Sequence, residues 1–467
     1  MKDLAAIVLA AGKGTRMKSS MPKVLHPVAG RPMLFYPLAA LASLRASRVA
    51  VVVGHGWDLV RAALEGGPGA VSFVTQSPQL GTGHAVMCAM KALRGFTGDV
   101  LIVSGDVPLM TPATIKGLAR VHRRGGKSRP VITLLTAVLA DPTGYGRVVR
   151  DARGAVERVV EHRDCAPAQR GIQEINTGIY LVDAVFLRKN IKKLSTANAQ
   201  GEYYLPDLVG MAAREGLKVS ATSSADADEV MGVNTRVELA RAGGLMRRRI
   251  AEELMDSGVT FIDPGASYVD HGVAVGRDTT IYPGVHLRGA TSIGSGCIIE
   301  EGASVTDSVV GDGSTIKAYS VVESSEIGPG VVVGPMARLR PGTELMDGAR
   351  VGNFVEVKNS RVGRGSKANH LSYIGDSDVG SGVNIGAGTI TCNYDGVRKH
   401  RTVIEDGAFI GSDSQLVAPV RVGHDAYVGS GTTVTADVPP WSLVISRAPE
   451  KVSEGWVRKK GFNKKRK

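Results

Sequence analysis

The chain has 467 residues. A single hydrophobic core does not usually support a chain of this length, so we expect two or more domains. Its 43% hydrophobic and 22% charged residues are typical of a globular protein, and no apolar run is long enough to cross a membrane. The formal net charge of +13 has a local source, because residues 458–467 hold seven basic side chains and no acidic one. We interpret this tail as a solvated, disordered terminus rather than a nucleic-acid-binding arm, and we expect no nucleic-acid partner.

The numbers and positions of the cysteines and glycines indicate the class of protein more closely. Cys88, Cys165, Cys297 and Cys392 lie far apart and form no CxxC pair, which argues against a zinc site or a disulfide framework and favours a cytoplasmic protein. The 59 glycines exceed the usual ~7% and crowd the second half, while aromatic residues are only 5%. The second half therefore has to bury its surface in many thin, regular layers.

Residues 1–228 alternate short apolar runs with helix-like segments. Buried parallel strands are predicted at residues 5–10, 49–53, 71–74 and 100–103. Helices are predicted between strands, for example at residues 32–44 and 83–93. This alternation is typical of a doubly wound, Rossmann-like α/β domain, whose ligands bind beyond the carboxyl ends of the strands.

Residues 229–256 predict a helical linker. Leu239, Leu245, Met246, Ile250 and Leu254 approximate one apolar helix face. The glycine pair at 243–244 argues against an unbroken helix.

The third segment, residues 257–467, has a six-residue aliphatic period. The in-phase residues are Val269, Val275, Ile281, Leu287, Ile293, Ile299, Val305, Val310, Ile316, Val322, Ile327, Val333, Leu339, Leu345, Val351, Val357, Ile404, Ile410, Leu416, Val422, Val428 and Val434. Because three hexapeptides make one coil of a triangular prism, this period predicts a parallel β-helix. Residues 391–402 interrupt it, and a loop ejected from a regular coil often carries a site. The fold class is thus α/β followed by β.

A glycine-rich segment follows the first predicted strand. It reads Leu9-Ala10-Ala11-Gly12-Lys13-Gly14-Thr15-Arg16-Met17, with Pro22-Lys23 beyond it. Its glycines let backbone N–H groups approach a phosphate closely. Arg16 and Lys23 add positive charge for a triphosphate whose charge builds up during transfer.

This string resembles the nucleotide-sugar pyrophosphorylases, and later segments of the first half agree with it. Those segments are Gln76 with Gln79, Leu80-Gly81-Thr82-Gly83-His84-Ala85, Ser104-Gly105-Asp106, Gly144-Tyr145-Gly146-Arg147, Glu161, Asn176-Thr177-Gly178, Gly201-Glu202-Tyr203-Tyr204 and Gly232-Val233-Asn234. One departure is Ser104, which stands where an aromatic residue is expected.

The resemblance implies residue roles in the first half. The residues implied to bind UTP and a sugar 1-phosphate are Leu9, Ala10, Gly12, Gly14, Lys23, Gln76, Gly81, Thr82, Gly144, Glu161, Asn176 and Asn234. Arg16 and Lys23 are implied to be catalytic, and Asp106 and Asn234 to hold Mg²⁺. The implied reaction is direct attack of a sugar phosphate oxygen on the α-phosphorus of UTP, so positioning and charge neutralisation carry the catalysis.

Polar motifs on successive predicted coils resemble the acetyltransferase half of the bifunctional N-acetylglucosamine-1-phosphate uridyltransferase/glucosamine-1-phosphate acetyltransferase family. They are Arg338-Leu339-Arg340-Pro341-Gly342, Asn353-Phe354-Val355-Glu356-Val357-Lys358, Lys367-Ala368-Asn369-His370-Leu371-Ser372-Tyr373 and Asn384-Ile385-Gly386-Ala387-Gly388. Asn369 departs from the small residue expected before His370. The resemblance covers essentially the whole chain, both halves in order.

The resemblance also implies the chemistry of the second half. His370 would be the general base, which suits an amine that attacks a thioester only when neutral. The residues implied to bind glucosamine 1-phosphate are Arg340, Lys358, Tyr373, Asn384 and Lys399. Those implied to bind acetyl-CoA are Ala387, Asn393, Tyr394, Ser412, Ser430 and Arg447. A left-handed β-helix, a homotrimer with acetyl sites between subunits, and a UDP-N-acetylglucosamine product for peptidoglycan and lipopolysaccharide synthesis are implied as well.

Two other functions fit the same architecture. One is a monofunctional nucleotidyltransferase whose β-helix serves regulation or assembly, and the other is a non-catalytic binding or exchange-factor subunit. His370, Lys358, Lys399 and the interrupted coil argue against the first. Arg16, Lys23 and Asp106 argue against the second.

Overall fold

A computed structural model describes residues 3–54 and 56–462, so the last five residues of the basic tail lie outside the described part. The chain divides into two compact units between Arg249 and Ile250. This division falls inside a helix, α7 (Arg236–Asp256). The domain boundaries at 228/229 and 256/257 stay predictions.

The first unit is built on a nine-stranded sheet, with a separate pair formed by β2 and β3. Its strands in chain order are β1 (Leu4–Ala10), β2 (Pro27–Val28), β3 (Arg31–Pro32), β4 (Arg48–Val53), β5 (Ser72–Thr75), β6 (Asp99–Ser104), β7 (Ile132–Val138), β8 (Gly146–Arg150), β9 (Val156–Val160), β10 (Glu174–Asp183) and β11 (Val219–Ser223). The order across the sheet is β11-β7-β10-β6-β1-β4-β5, and β8 and β9 join it through β10.

The four predicted strands are parallel neighbours in this sheet, β5-β4-β1-β6. Alternate residues of β1 enter two cores, Leu4 and Ala6 one of them and Ala5 and Ile7 the other. Both faces are therefore covered, which explains why these strands read as continuous apolar runs. The antiparallel pairing of β10 with β6 and β7 makes the sheet mixed, and no period in the sequence predicted it.

Helices cover the sheet and lead out of the unit. They are α1 (Phe35–Ser43), α2 (Trp57–Ala63), α3 (Thr82–Ala89), α4 (Pro112–Arg123), α5 (Ala184–Asn190), α6 (Asp207–Arg214) and α7. Helix α7 continues through the glycine pair at 243–244 without the break that those residues suggested. Thr235 and Glu238 cap its start reciprocally, because each side chain accepts the other's backbone N–H, at 3.2 and 2.9 Å.

The second unit consists of three parallel sheets, here called faces 1, 2 and 3. Face 1 contains Thr260–Phe261, Thr280–Ile281, Ile298–Ile299, Thr315–Ile316, Val332–Val333, Arg350–Asn353, Lys367–His370, Asn384–Ile385, Phe409–Ile410, Tyr427–Val428 and Leu443–Val444. Face 2 contains Tyr268–Val269, His286–Arg288, Ser304–Thr306, Val321–Glu323, Arg338–Leu339, Glu356–Lys358, Tyr373–Gly375, Ile390–Cys392, Gln415–Val417 and Thr433–Val434. Face 3 contains Ala274–Val275, Ser292–Ile293, Val309–Val310, Ser325–Ile327, Thr343–Leu345, Arg361–Val362, Ser377–Val379, Thr402–Ile404 and Val420–Val422.

The hexapeptide period is confirmed as the inner face of these coils. Val269 pairs with Leu287, and Leu287 with Val305, so each turn of three hexapeptides brings one aliphatic residue over the next. Every in-phase residue named above is buried. The axis of the parallel β-helix is therefore filled by a stack of aliphatic residues, which Thr391 interrupts in the coil that ejects the loop.

The last helix of the described residues is α8 (Trp456–Lys459), and the residues from its start to Phe462 are exposed. Of the tail 458–467, expected to be solvated and without structure, Arg458 and Lys459 lie in this helix, whereas the exposure of residues 458–462 agrees with a solvated segment. None of the four cysteines, all within the described residues, forms a disulfide. Over residues 3–54 and 56–462, no helix combines the length and hydropathy needed to cross a bilayer.

Candidate active sites

A polar cavity of about 500 Å³ lies beyond the carboxyl ends of β1 and β6 in the first unit. The predicted residues that line it are Leu9, Ala10, Gly12, Gly14, Arg16, Lys23, Gln76, Gly81, Thr82, Asp106 and Asn234. Lys13, Gln79, Ser104 and Glu202 line it too. The cavity lies where a doubly wound sheet places its ligand, and it holds three cationic side chains, Lys13, Arg16 and Lys23.

The glycine-rich loop turns tightly against Lys23. Gly14 has a φ of 60°, and a Cβ there would lie 2.6 Å from the Cβ of Lys23. A side chain at position 14 would therefore both strain the backbone and displace Lys23. The glycine is needed to keep the lysine beside the loop's N–H groups.

Lys23 joins the two oxygen-bearing residues at the far wall of the cavity. Its ammonium contacts the Asp106 carboxylate and lies 3.0 Å from Asn234 Oδ1. Arg16 Nη2 donates to the same Asn234 oxygen at 2.9 Å. Asn234 is fixed from behind, because its backbone N–H donates to Glu238 Oε2 at 2.6 Å. A carboxylate and an amide oxygen thus converge on one cation.

Gln76 is held at the other end of the cavity. Its Nε2 donates to the Gly81 carbonyl oxygen at 2.9 Å and lies 3.2 Å from His84 Nδ1. The Gln79 amide donates to the Ala11 carbonyl oxygen at the start of the phosphate loop. Hydrogen bonds therefore hold the segment after β5 in place, both within the segment and to the loop after β1.

Gly144, Glu161 and Asn176 do not line this cavity. Glu161 and Asn176 flank Gly146, where a Cβ would lie 3.3 Å from Glu161 Oε1 and 3.5 Å from the Asn176 Cβ. Burial, together with the charges of Asp164, Asp207 and Glu202, raises the pKa of Glu161. Glu202 lines the cavity, and its charge also acts on Glu161. The Glu161–Asn176 pair is therefore coupled electrostatically to the cavity.

In the second unit, His370 lies in a column of residues along the corner that follows face 1. Ala368, Ile385, Ile410 and Val428 are register neighbours in successive coils. Two residues after them come His370, Ala387, Ser412 and Ser430. One corner therefore brings the predicted base into line with three residues predicted to bind acetyl-CoA.

Asn353 precedes His370 in this column and contacts its ring. The two residues are register partners, and Asn353 Oδ1 lies 3.0 Å from His370 Nδ1. An amide oxygen facing Nδ1 accepts a hydrogen bond from Nδ1–H, and this tautomer leaves Nε2 as the basic nitrogen. His370 is exposed, so that nitrogen is accessible.

Three of the predicted sugar-phosphate residues, Arg340, Lys358 and Tyr373, lie on face 2 or directly after it in neighbouring coils. Lys358 is the register partner of Gly375, and a Cβ at Gly375 would lie 2.4 Å from the Tyr373 hydroxyl. The Tyr373 ring thus lies across the glycine beside Lys358. The neighbouring Lys358 ammonium is the main cause that lowers the pKa of Lys399, and burial is a smaller one. Arg340 Nη1 donates to Glu356 Oε1 at 2.9 Å.

The remaining predicted residues lie around this group. Asn384 stands outside the core on face 1, between Lys367 and Phe409. Tyr394 is 60% exposed and pairs with Lys399 in a small antiparallel bridge of the ejected loop. Asn393 is buried, and its amide donates to the Asp376 carboxylate. Arg447 follows the last strand of face 1 and is exposed.

Three residues that contact these sites were not among the candidates from the sequence. Glu238 completes a Thr-x-x-Glu capping motif, so a sequence signal for it existed. Asn353 and Asp376 each lie 17 residues before the side chain that they contact, which is one short coil of the β-helix. Counting coils through the motif region would have found both.

Comparison with known proteins agrees with this architecture. Residues 6–169 match the MobA-like NTP transferase domain, and residues 401–436 match the bacterial transferase hexapeptide family of six repeats. The two units are therefore a doubly wound nucleotidyltransferase domain and, after the connecting helix, a left-handed parallel β-helix of hexapeptide repeats.

Relatives match over nearly the whole chain. The bifunctional protein GlmU of Pelobacter propionicus is 53% identical over 98% of both chains. GlmU of Geotalea daltonii is 54% identical over 98% of this chain and all of its own. GlmU of Anaeromyxobacter dehalogenans is 51% identical over 99% of this chain and 94% of its own. With identity at this level along both units, the chain belongs to the GlmU family of bifunctional proteins.

Proposed function

We propose that this protein makes UDP-N-acetylglucosamine in two steps at two separate sites. The second unit acetylates glucosamine 1-phosphate with acetyl-CoA, and the first unit transfers UMP from UTP to the N-acetylglucosamine 1-phosphate so formed. The observation that carries the proposal is that each unit has its own set of polar groups. Arg16, Lys23 and Asp106 line one cavity of the first unit, and the second unit carries the His370–Asn353 contact and the Lys358–Lys399 pair. The cytoplasmic location inferred from the cysteines is part of the proposal.

In acetyl transfer, the sugar amine attacks the thioester carbonyl. His370 Nε2 takes the proton from the amine, the new N–C bond forms, the C–S bond breaks, and coenzyme A leaves as the thiolate. Asn353 holds the imidazole from Nδ1, so the base is oriented before the substrate binds. Arg340, Lys358, Tyr373, Asn384 and Lys399 bind the sugar phosphate. Acetyl-CoA binds at Ala387, Ser412 and Ser430 of the His370 corner column, together with Asn393, Tyr394 and Arg447.

In uridyl transfer, a phosphate oxygen of the sugar 1-phosphate attacks the α-phosphorus of UTP, and pyrophosphate leaves. Arg16 and Lys23 neutralise the charge that builds up, while the glycine-rich loop holds the triphosphate. Gln76, Gly81 and Thr82 bind the uridine end, and Gly144, Glu161 and Asn176 the sugar. No protein nucleophile is needed.

Asp106 and Asn234 fit a magnesium site. Their oxygens converge on a cationic group, the Lys23 ammonium, so the cradle already favours positive charge. Within the described residues there is no cluster of three or more His, Cys, Asp or Glu that could hold a metal by itself. A Mg²⁺ ion with two protein ligands leaves its other positions for phosphates and water, as this ion prefers, and when bound it would neutralise phosphate charge.

A homotrimer formed through the β-helix is also part of the proposal. Four exposed side chains, Tyr319, Met336, Phe354 and Leu371, follow one another along the corner that carries His370. A contiguous apolar stripe on a soluble domain is typical of a protein interface. The ejected loop, which leaves the β-helix at the next corner, between faces 2 and 3, would then complete the acetyl site of a neighbouring subunit.

An omission assay tests the two activities. The purified protein is supplied with glucosamine 1-phosphate, acetyl-CoA, UTP and Mg²⁺, and each is left out in turn while thiol and pyrophosphate release are followed. We expect free thiol without UTP, but pyrophosphate only when acetyl-CoA or preformed N-acetylglucosamine 1-phosphate is present. Pyrophosphate release without any thiol would instead indicate a monofunctional nucleotidyltransferase.

A further inference from the structure

The loop ejected from the β-helix, residues 393–401, is fastened at both ends to one residue, Asp376. At its start, the Asn393 amide donates to Asp376 Oδ2. Immediately after its end, the backbone N–H of Thr402 donates to the Asp376 carbonyl oxygen at 3.3 Å. Both anchors of the loop therefore depend on the same residue of the preceding coil.

Asp376 is itself held firmly in the corner of its coil. Its backbone N–H donates to the Lys358 carbonyl oxygen at 3.0 Å, and its second carboxylate oxygen accepts from Asn359 Nδ2 at 2.6 Å. The residue is only 8% exposed. Both carboxylate oxygens are thus bonded, one to the coil before and one to the loop that follows.

The same carboxylate supplies negative charge beside two lysines that face each other. The Lys358 ammonium lowers the pKa of Lys399, and the charge of Asp376 opposes that effect. Burial would raise the pKa of Asp376, but the bonds from Asn359 and Asn393 and the charges of the two lysines hold it below its ordinary value. Asp376 is therefore ionised at neutral pH, where it faces the two lysines.

We propose that Asp376 is a positioning residue of the acetyl-transfer site, which holds the loop 393–401 and the Lys358–Lys399 pair in their binding arrangement before the sugar phosphate arrives. The inference rests on the proposed function, in which Lys358 and Lys399 bind that phosphate. Without the carboxylate, two like charges repel each other and the loop that carries Lys399 loses its first anchor. Ordering both again on binding would weaken the affinity for the sugar phosphate.

The first test is Asp376→Asn. An asparagine has one acceptor oxygen and no charge, so it can accept from only one of Asn359 and Asn393, and the amide of the other has to turn over to accept from its NH₂ group. We expect KM for glucosamine 1-phosphate to rise about tenfold while kcat changes less than about threefold. Limited trypsin digestion should cut faster after Arg398, Lys399 and Arg401. An unchanged KM, or kcat and KM that change together with general loss of stability, would overturn the inference.

A double variant, Asp376→Asn with Asn393→Asp, exchanges donor and acceptor across the same contact. It restores the hydrogen bond and returns a carboxylate to the loop anchor, so KM for glucosamine 1-phosphate should come back to within about threefold of the original. With acetyl-CoA saturating, because Asn393 is also expected to bind it, failure of this rescue in a folded protein would overturn the inference. Asp278→Asn is the matched control, because Asp278 is another corner aspartate with a positive φ, of 62°, in a coil remote from the loop in sequence.

A further variant covers the case in which Asp376→Asn does not fold. Asn359→Ala removes one bond to the carboxylate and keeps its charge, so KM should rise about threefold, and an unchanged KM contradicts the inference. The unaltered protein separates the proposed acetyltransferase function from the role of Asp376. If the unaltered protein releases no coenzyme A with glucosamine 1-phosphate, the proposed function is wrong. If it releases coenzyme A and the variants have the same KM, only the role of Asp376 is wrong.

Discussion

His370 is the residue on which acetyl transfer depends most directly. Its exposed ring is oriented by Asn353 and lies in the same corner column as Ala387 and Ser412. We expect His370→Ala to lower the rate of acetyl transfer by about 10²–10⁴-fold, because general-base catalysis contributes that much. Thiol release measures it, and pyrophosphate release from preformed N-acetylglucosamine 1-phosphate should stay unchanged. His424→Ala is the control, a half-buried corner histidine of the same β-helix.

Asp106 has the corresponding position in the other site. It contacts Lys23 and faces the same point as Asn234 Oδ1. Asp106→Ala should lower uridyl transfer at least about 10²-fold, since a group that stabilises transition-state charge is lost, and should leave thiol release intact. Asp58→Ala, on the exposed side of α2, is the matched control. Loss of both activities in the Asp106 variant would contradict two separate sites.

Among the elements of the first unit, β6, α4 and β10 are tied together by one buried carboxylate. Asp99 accepts from Arg123 Nε at 2.9 Å and Arg129 Nη1 at 2.7 Å, and Arg129 also reaches Asp183 at 2.8 Å. The Asp99 side chain is 3% exposed. Burial would raise its pKa, but the bonds from His122, Arg123 and Arg129 outweigh it and hold the pKa well below the ordinary range.

Asp99→Asn should therefore destabilise the protein by about 3 kcal/mol at neutral pH, because two guanidinium groups lose a buried partner. A carboxyl group whose pKa is lower in the folded protein stabilises the fold at pH values above its unfolded pKa of about 4. That contribution to the free energy of unfolding is lost as the pH falls from about 4 toward the folded pKa. The difference in unfolding midpoint between the two proteins, measured by calorimetry, should shrink from pH 7 to below pH 4. Glu157→Gln, which breaks an exposed pair with Arg158, should change the midpoint little. A difference that stayed constant with pH would contradict this role of Asp99.

For the whole molecule, the proposed trimer predicts a native mass three times the 48.9 kDa of the chain. Light scattering on the eluting peak of a sizing column measures it. Phe354→Asp, which places a charge within the apolar stripe, should shift the mass toward that of the single chain and reduce acetyl transfer more than uridyl transfer. Glu326→Gln on face 3 is the control. A monomeric native protein with full acetyl transfer would rule the trimer out.

The sequence predicted most reliably where one residue type repeats for one physical reason. The aliphatic residues at six-residue spacing are all buried, since only that register fills the axis of the prism. The loop after β1 was predicted because glycines and cations follow a buried strand. The sequence pattern did not predict β10, because its antiparallel pairing with β6 and β7 depends on strands more than 30 residues away in sequence.

The sequence alone thus determined the order of the units, the β-helix core and most of the residues that line the phosphate cavity, because these follow from periods and motifs within short segments. Tertiary structure alone decided which side chains meet. The Lys23 contact with Asp106 spans 83 residues, and the contacts of Asn353 with His370 and of Asp376 with Asn393 each cross from one coil to the next. Such contacts depend on how distant segments stack in space, and that stacking fixes the orientation of the base and the anchoring of the loop.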